Sequence, residues 1–447
     1  MTRQHPITRR PGRTARLAPL ALLALAAACN LDVSTPQVVL PAATQGEAAL
    51  PTLLAGSVGD FAVAYAGYNN GNSGEGIVLN SGLFADEFVA TDYFSTHREL
   101  DTRSVQVTNS SNGTVLLHLM QALRSSQNAA ASYASAGQTN ASGRARALNQ
   151  VGLLYTIIAE TYCSGVPFSS IDASGTIVYG SPKNTSDMLT AAIAAFNDAL
   201  AVATAAGSST QRYTAMVGKA RALLDNGQFA AAATAVAGVP TSFVAATEHG
   251  TVDDRTKNGI YTLTFVSTRY TTADAEGVHG QPFVSAADPR VETSHEGTSS
   301  FDFSTELYAP VKYSAYTAPV SFATGVEARL IEAEAQYRAG SYATALQTLD
   351  DLRATQGIGP LVPATTPTTQ EDQIFAERAF WLFGTAHRLG DLRRLVKQYQ
   401  RGAETVFPTG AYFKGGAYGT QVTLRVPQEE EQDNPNYSRA ACDPTKA

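Results

Sequence analysis

Hydrophobic positions recur along much of this chain at the spacing of one helix face. Leu148, Val151, Tyr155, Ile158 and Tyr162 fall at offsets 0, 3, 7, 10 and 14, and an α-helix puts such positions on one side. They form the second of two helices predicted between Thr114 and Tyr162. A third is predicted after Asn184-Thr185-Ser186, whose short polar side chains suit an N-terminal cap, with Leu189, Ile193, Phe196 and Leu200 on its stripe. Phe375, Ala379, Leu382, Ala386 and Leu389 follow offsets 0, 4, 7, 11 and 14. Phe380, Trp381 and Phe383 cover the neighbouring faces, so Trp381, the single tryptophan, is read as a core residue of a buried helix.

Two stretches resemble each other. Residues 220–232 and 333–345 both read helix, glycine, aromatic, helix, with Gly227 and Phe229 matching Gly340 and Tyr342. A glycine there ends a helix in the left-handed conformation, and Ala232 and Ala345 let the paired helices approach. The spacing predicts tetratricopeptide-type pairs, about 114–237 and 326–402, that bury a core by stacking on neighbours. Two unrelated hairpins in an Ala-rich chain are the plainer alternative.

Three blocks break the helical pattern. Tyr261, Leu263 and Phe265 alternate with Thr262 and Thr264 within a segment of about 238–325, which predicts strands and long loops. Gly67–Asn80 and Phe407–Gly419 are rich in glycine with Asn or aromatic residues. Loops held by a rigid frame carry binding residues, so these blocks are the candidate recognition surface. The candidates in or beside them are Tyr68, Asn69, Asn70, Asn72, Tyr93, Tyr313 and Tyr316. The aromatic rings offer stacking faces and the amides offer donors and acceptors; turn chemistry and packing are the alternatives for each.

The first residues read as an address. Arg3, Arg9, Arg10, Arg13 and Arg16 precede an uncharged apolar run, Leu17–Ala28. Such a run rises about 18 Å as a helix, short of a bilayer core of about 30 Å, so it is read as a secretory signal over 1–28. It ends Leu25-Ala26-Ala27-Ala28-Cys29, similar to the lipobox of bacterial lipoproteins, which makes Cys29 the expected acylated N-terminus. Leu25 stands one place early for that motif, and ordinary signal-peptidase cleavage nearby is the alternative. Residues 29–42 are read as a tether and 43–447 as one domain.

Composition narrows the function. Removing residues 1–28 takes away five of 32 basic residues and none of 39 acidic ones, leaving a net charge of −12. Such a body has no broad cationic surface for nucleic acid. The seven His lack HExxH spacing, GxSxG and GxxxxGK[ST] do not occur, and Cys163 has no nearby His. No metal or cofactor is expected, although two catalytic carboxylates distant in sequence would escape such a search. With Cys29 acylated, Cys163 and Cys442 remain as an even pair in an oxidising compartment, and a disulfide between them is expected. The string His387, Arg388, Asp391, Arg393 and Arg394 is read as capping and surface ion pairs, worth about 0 to 1 kcal/mol each.

Gly325–Ala335 with the Gly340-Ser341-Tyr342 turn resembles a hallmark of the SusD/RagB family. Glu377–Phe383 and His387–Arg394 look like that family's C-terminal helix signature. Phe84-Ala85-Asp86-Glu87-Phe88, Val166-Pro167-Phe168, Ala287-Asp288-Pro289-Arg290 and Asn434-Pro435-Asn436 resemble further features, over roughly Cys29–Asn436. Tyr162-Cys163-Ser164-Gly165-Val166-Pro167 replaces the more usual Tyr-Gly-Asp-Val-Pro. The resemblance implies a mainly α fold of stacked tetratricopeptide-like pairs with loop-rich and short strand insertions. It implies a surface-exposed outer-membrane lipoprotein that captures an oligomeric glycan or peptide for a SusC-like TonB-dependent barrel, without catalysis of its own. A protein-binding tetratricopeptide scaffold and a glycan-acting hydrolase are the competing readings.

Overall fold

In the computed structural model, the described residues are 46–447 apart from 72, 173, 175 and 296–299. Cys29, Asn72 and the leader and tether lie outside them. The first half is helical: α1 (Leu50–Ala66), α2 (Ile77–Phe84), α3 (Ser95–Asp101), α4 (Ser110–Ser135), α5 (Ser142–Thr161), α6 (Thr185–Ala205), α7 (Ser209–Asp225) and α8 (Phe229–Val236). A single turn, α9 (Gly259–Tyr261), interrupts the loop-rich centre. Then follow α10 (Gly325–Arg338), α11 (Tyr342–Ala354), α12 (Pro367–Trp381), α13 (Arg388–Gln398) and α14 (Gln428–Asp433). The mainly α class expected from periodicity is the class observed.

Local chemistry sets the helix starts. Asn184 caps α6 by accepting a hydrogen bond from the Asp187 N–H, and Thr324 caps α10 through the Glu327 N–H. At the two matched glycines the hydrogen bonding is the same. Gly227 (φ 75°) donates to Leu224 O and Gln228 to Leu223 O; Gly340 (φ 81°) donates to Tyr337 O and Ser341 to Gln336 O. These left-handed turns close the pairs α7–α8 and α10–α11. Val217, Leu224, Ala232, Val236, Ala328 and Ile331 bury together in one cluster, so the two pairs share a core as stacked repeats do.

Among the described residues, ten short strands pair two by two, all antiparallel. One pair matters most: β1 (Phe88–Ala90) lies on β7 (Tyr270–Thr272), with Val89 opposite Thr271. It joins the N-terminal helices to the loop-rich centre.

Three expectations are corrected. Residues 261–265 are not a strand: α9 runs on as a π-turn over Thr262–Val266. The Asn258 side chain accepts from the Ile260 and Tyr261 N–H groups, and the rings of Tyr261 and Phe265, four positions apart, stack at 5.3 Å as only a helical path allows. The stripe from Phe375 to Leu389 does not lie on one helix either. α12 stops at Trp381, Gly384 (φ 62°) and Ala386 (φ 57°) take left-handed backbone, and α13 restarts at Arg388. The bend brings the Gly384 N–H to 2.7 Å from Glu87 Oε1 and its carbonyl to 2.6 Å from the Tyr313 hydroxyl. Trp381 packs partly buried against the core under the Arg290 guanidinium, 5.2 Å from its ring.

The charged string of α13 is buried, not on the surface. Arg388 holds Asp86 at 2.6 and 2.8 Å, and Arg378 holds Asp391 at 2.8 and 2.9 Å. Arg394 reaches Asp391 at 2.7 Å and pairs with Glu334, while Arg393 donates to the carbonyls of Ala159 and Tyr162 that end α5. Burial disfavours charge on Asp391, but the Arg378 and Arg394 guanidiniums outweigh it and hold its carboxyl well below the usual range. Such a network fixes how α5, α10, α12 and α13 meet; its members are costly to remove singly.

Cys163, just past α5, is joined by a disulfide to Cys442, with the Cα atoms 5.3 Å apart. Backbone bonds from Cys163 N to Leu424 O and from Leu424 N to Thr161 O hold the C-terminal tail alongside.

Candidate functional site

The β1–β7 pair places three loops side by side. The Thr91 N–H donates to Arg269 O at 2.8 Å, the Phe301 N–H to Thr268 O at 2.9 Å, and the Tyr93 hydroxyl to Asp302 O at 3.1 Å. Asp302 is the knot. Its Oδ1 accepts from the Ser304 and Thr305 N–H groups and the Ser300 hydroxyl; its Oδ2 takes the Thr305 hydroxyl and, at 2.8 Å, the Lys414 ammonium. Burial pushes this carboxyl up, but Lys414 and the Thr305 and Ser304 donors prevail and hold it well below its ordinary value. Lys414 also donates to Ala90 O at 2.7 Å, so the segment from Phe407 is tied to the end of β1.

Around this knot stand four large aromatic side chains with exposed rings: Tyr93 at 77%, Phe94 at 45%, Phe303 at 84% and Phe413 at 54%. Scattered apolar residues on a surface need no explanation, but four rings on loops fixed to one ion pair make a candidate binding surface. The Phe94 ring and the Phe301 ring sandwich the Arg269 guanidinium at 4.6 and 3.9 Å, which stiffens that side.

Beneath the rings lies a buried charge relay. His97 sits between two carboxylates, Nδ1 at 2.7 Å from Asp92 and Nε2 at 2.9 Å from Glu75. Burial alone lowers an imidazole's pKa; here Asp92 and Glu75 win and raise it to about 9. Arg269 meets Asp92 at 3.1 Å, and the Tyr270 hydroxyl donates to Glu75 at 3.0 Å. The relay fixes the backbone that carries Tyr93 and Phe94.

Beside the aromatic rim opens a cavity of about 260 Å³ between β7, residues 273–277 and the 411–418 loop, with Phe413, Tyr308 and Tyr418 in its wall. Among the described residues no group of three or more His, Cys, Asp or Glu is placed to hold a metal ion.

The residues singled out from sequence fall in three places. Tyr93 is on the rim. Tyr68, Asn69, Asn70 and Tyr316 gather on a second patch around Asp254 and Lys257. There the Asn69 amide is taken by Asp254 at 2.7 Å, Lys257 bridges Asp254 (2.7 Å) to the Tyr316 ring (4.9 Å), and the Asn70 amide closes its own turn on Ser73. Tyr68 is half-buried with its ring edge-on to His118. Tyr313 is corrected: it is 2% exposed with its hydroxyl on Gly384 O, a packing residue beneath the 382–387 bend. Phe94, Phe303 and Phe413 were not singled out, although two of them lie in the blocks named as recognition surface. Hydrophobic pattern does not separate an exposed loop aromatic from a buried one.

Residues 327–440 match the model of the SusD family. No curated protein matches the sequence. Among solved structures the chain is similar to a SusD-like carbohydrate binding protein from Bacteroides vulgatus (TM-score 0.63, 13% identity, 88% of this chain and 97% of that one). It is likewise similar to surface glycan-binding protein A from Bacteroides uniformis (TM-score 0.64, 12% identity, 88% and 99%). A third is a SusD superfamily protein from Parabacteroides distasonis (TM-score 0.63, 12% identity, 87% and 98%). At such identities the likeness is one of fold, and it extends over nearly the whole of each neighbour. Residues 327–440, from α10 onward, carry the match to the SusD family, and the fold around them is the one that these SusD-like structures share.

Proposed function

We propose that the chain is a binding protein that captures an oligomeric glycan on the Tyr93, Phe94, Phe303 and Phe413 face. The observation that carries this reading is the exposure of four aromatic rings on loops locked together by Asp302 and Lys414. A pyranose presents an apolar C–H face that stacks on such rings while its hydroxyls find the backbone and polar groups between them. Two similar structures described as carbohydrate- or glycan-binding support that ligand class. In this reading Cys29 carries the lipid anchor, the domain faces outward from the outer membrane, and the captured glycan passes to a SusC-like TonB-dependent barrel. The chain contributes recognition and no catalysis.

The test is titration of the full chain against a panel of soluble polysaccharides, with Phe303→Ala/Phe413→Ala as the control. Binding by the wild type that falls at least tenfold in the double variant supports the reading. Binding unaffected by the two substitutions, or no binding to any polysaccharide, overturns it. Detergent extraction from outer membranes checks the partner: recovery without a large barrel would sink the transport role.

A further inference from the structure

A second cavity, of about 370 Å³, lies between α12, α13 and two of the segments that lead to the aromatic rim. Phe375, Leu392, Leu395 and Val406, all buried, make the apolar part of its wall. The polar part comes from His279, Gln281, Asp372, Arg388 and Arg401.

Several of these polar groups have hydrogen-bonding capacity to spare. Arg388 is only 4% exposed and gives Nε and Nη2 to Asp86, yet its Nη1 has no acceptor among the described residues and is not sealed in by protein. The half-buried side chains of His279 and Gln281 make no hydrogen bond among the described residues. Asp372 meets Arg401 at 3.0 Å through Oδ1 and keeps acceptor capacity on its other oxygen. The wall is also held in place. Asp86 Oδ2 accepts from the Gln281 N–H at 2.9 Å and from Arg388 Nη2 at 2.8 Å, so one atom ties the loop to α13.

Shared chain connects this cavity to the rim. Residues 273–277 and Phe413 wall the smaller cavity beside the rings, and further along the same two segments His279, Gln281, Thr405 and Val406 wall this one. The segments are bonded where they cross, Val278 N–H to Thr409 O at 3.2 Å, and the Val278 side chain stands 68% exposed there. Two residue steps, from Gly277 to His279, span at most about 7 Å.

We infer that this cavity is a second subsite for the same oligomer, taking a neutral sugar residue beyond those stacked on the rim; the inference rests on the glycan reading of the aromatic face. An apolar patch beside amide, guanidinium and carboxylate groups suits a pyranose, whose C–H face packs on the one and whose neighbouring hydroxyls both donate and accept. A simple anion fits less well, because Asp86 already offsets Arg388, and Glu371 and Asp372 offset Arg401. A ligand gains from the second contact only when it is long enough to engage both places at once.

Length dependence tests this. Oligosaccharides of graded length, prepared from the neutral polysaccharide that binds best in the panel, are titrated against the full chain. Wild-type affinity should rise with length by about tenfold or more before it levels off. His279→Ala/Gln281→Ala should lose about fivefold or more for the long members and stay within about twofold for the short ones, which reach only the rim. Thr405→Trp, an exposed position whose larger ring would fill the cavity mouth, should show the same selective loss. Affinity independent of length, or variants that match the wild type at every length, overturns the inference and leaves the glycan reading standing. An equal loss at every length with unchanged melting overturns it too. No binding at any length overturns both readings. Melting curves of the two variants, one truncating and one filling, separate a lost subsite from lost folding.

Discussion

The ammonium of Lys414 lies 2.8 Å from Oδ2 of Asp302, joining the loop that carries Phe413 to the loop that carries Phe303. Each residue sits beside the aromatic ring it positions, so one ion pair sets the spacing of the proposed stacking surface.

Asp302→Ala should therefore act on binding more than Phe303→Ala alone. It removes the acceptor for Ser304, Thr305 and Lys414 together, leaving a partly buried ammonium unpaired, at a cost of about 1–3 kcal/mol in stability. Glycan titration and a thermal melt on the same variant check this. A change in melting without loss of affinity would mean that the rim does not depend on the knot.

The buried network predicts a contrast between two arginines. Arg394→Met leaves Glu334 and Asp391 short of a counter-charge inside the core and should lower stability by about 3–5 kcal/mol. Arg439→Met breaks the exposed pair with Glu431 and should cost less than about 1 kcal/mol. Urea denaturation of both variants decides it; comparable midpoints would refute the description of α13 as a buried ionic seam.

Relay titration has a definite sign. His97 has a folded pKa of about 9, above the ordinary value of 6.5, so its stabilising contribution is complete below about 6.5 and is lost as pH rises through about 9. Glu75 and Asp92 are held below their ordinary values, so their contribution is present at neutral pH and lost as pH falls. Glu87, raised to about 8 chiefly by burial, also weakens the fold as pH climbs toward that value. The difference between wild type and His97→Gln isolates the imidazole. Denaturation from pH 6 to 10 should show the wild type losing more stability than the variant over that window, and parallel curves would exclude the charged imidazole.

Reducing Cys163–Cys442, or replacing Cys442 with Ser, should cost about 2–5 kcal/mol, given the 279-residue separation it closes. The tail then keeps backbone contacts such as Val422 N to Pro444 O and the side-chain bonds from Asn434 and Asn436 to the carbonyls of Gly180 and Tyr179. Limited proteolysis should cut the variant first near the C-terminus. Alkylation of both cysteines in the unfolded, unreduced protein would show instead that the bond does not form.

The sequence by itself determined the elements whose causes are local. The helical stripes at 148–162 and 189–200, the Asn184 cap and the matched turns at Gly227 and Gly340 depend on neighbours within a few residues, and they recur in the structure where the pattern puts them. The tertiary structure alone decided burial and juxtaposition. Asp86 and Arg388 are 302 positions apart, so nothing in the string His387–Arg394 reveals that its charges are paired inside the core. Tyr93 and Phe303 belong to distant segments that meet through Asp302, whereas Tyr313, equally aromatic and equally loop-borne, turns inward to a carbonyl. Tyr261 and Phe265 alternate like a strand, yet Asn258 and a stacking contact four residues apart make a helix of them. Amphipathic period is written along the chain; which face meets water is fixed by what folds against it.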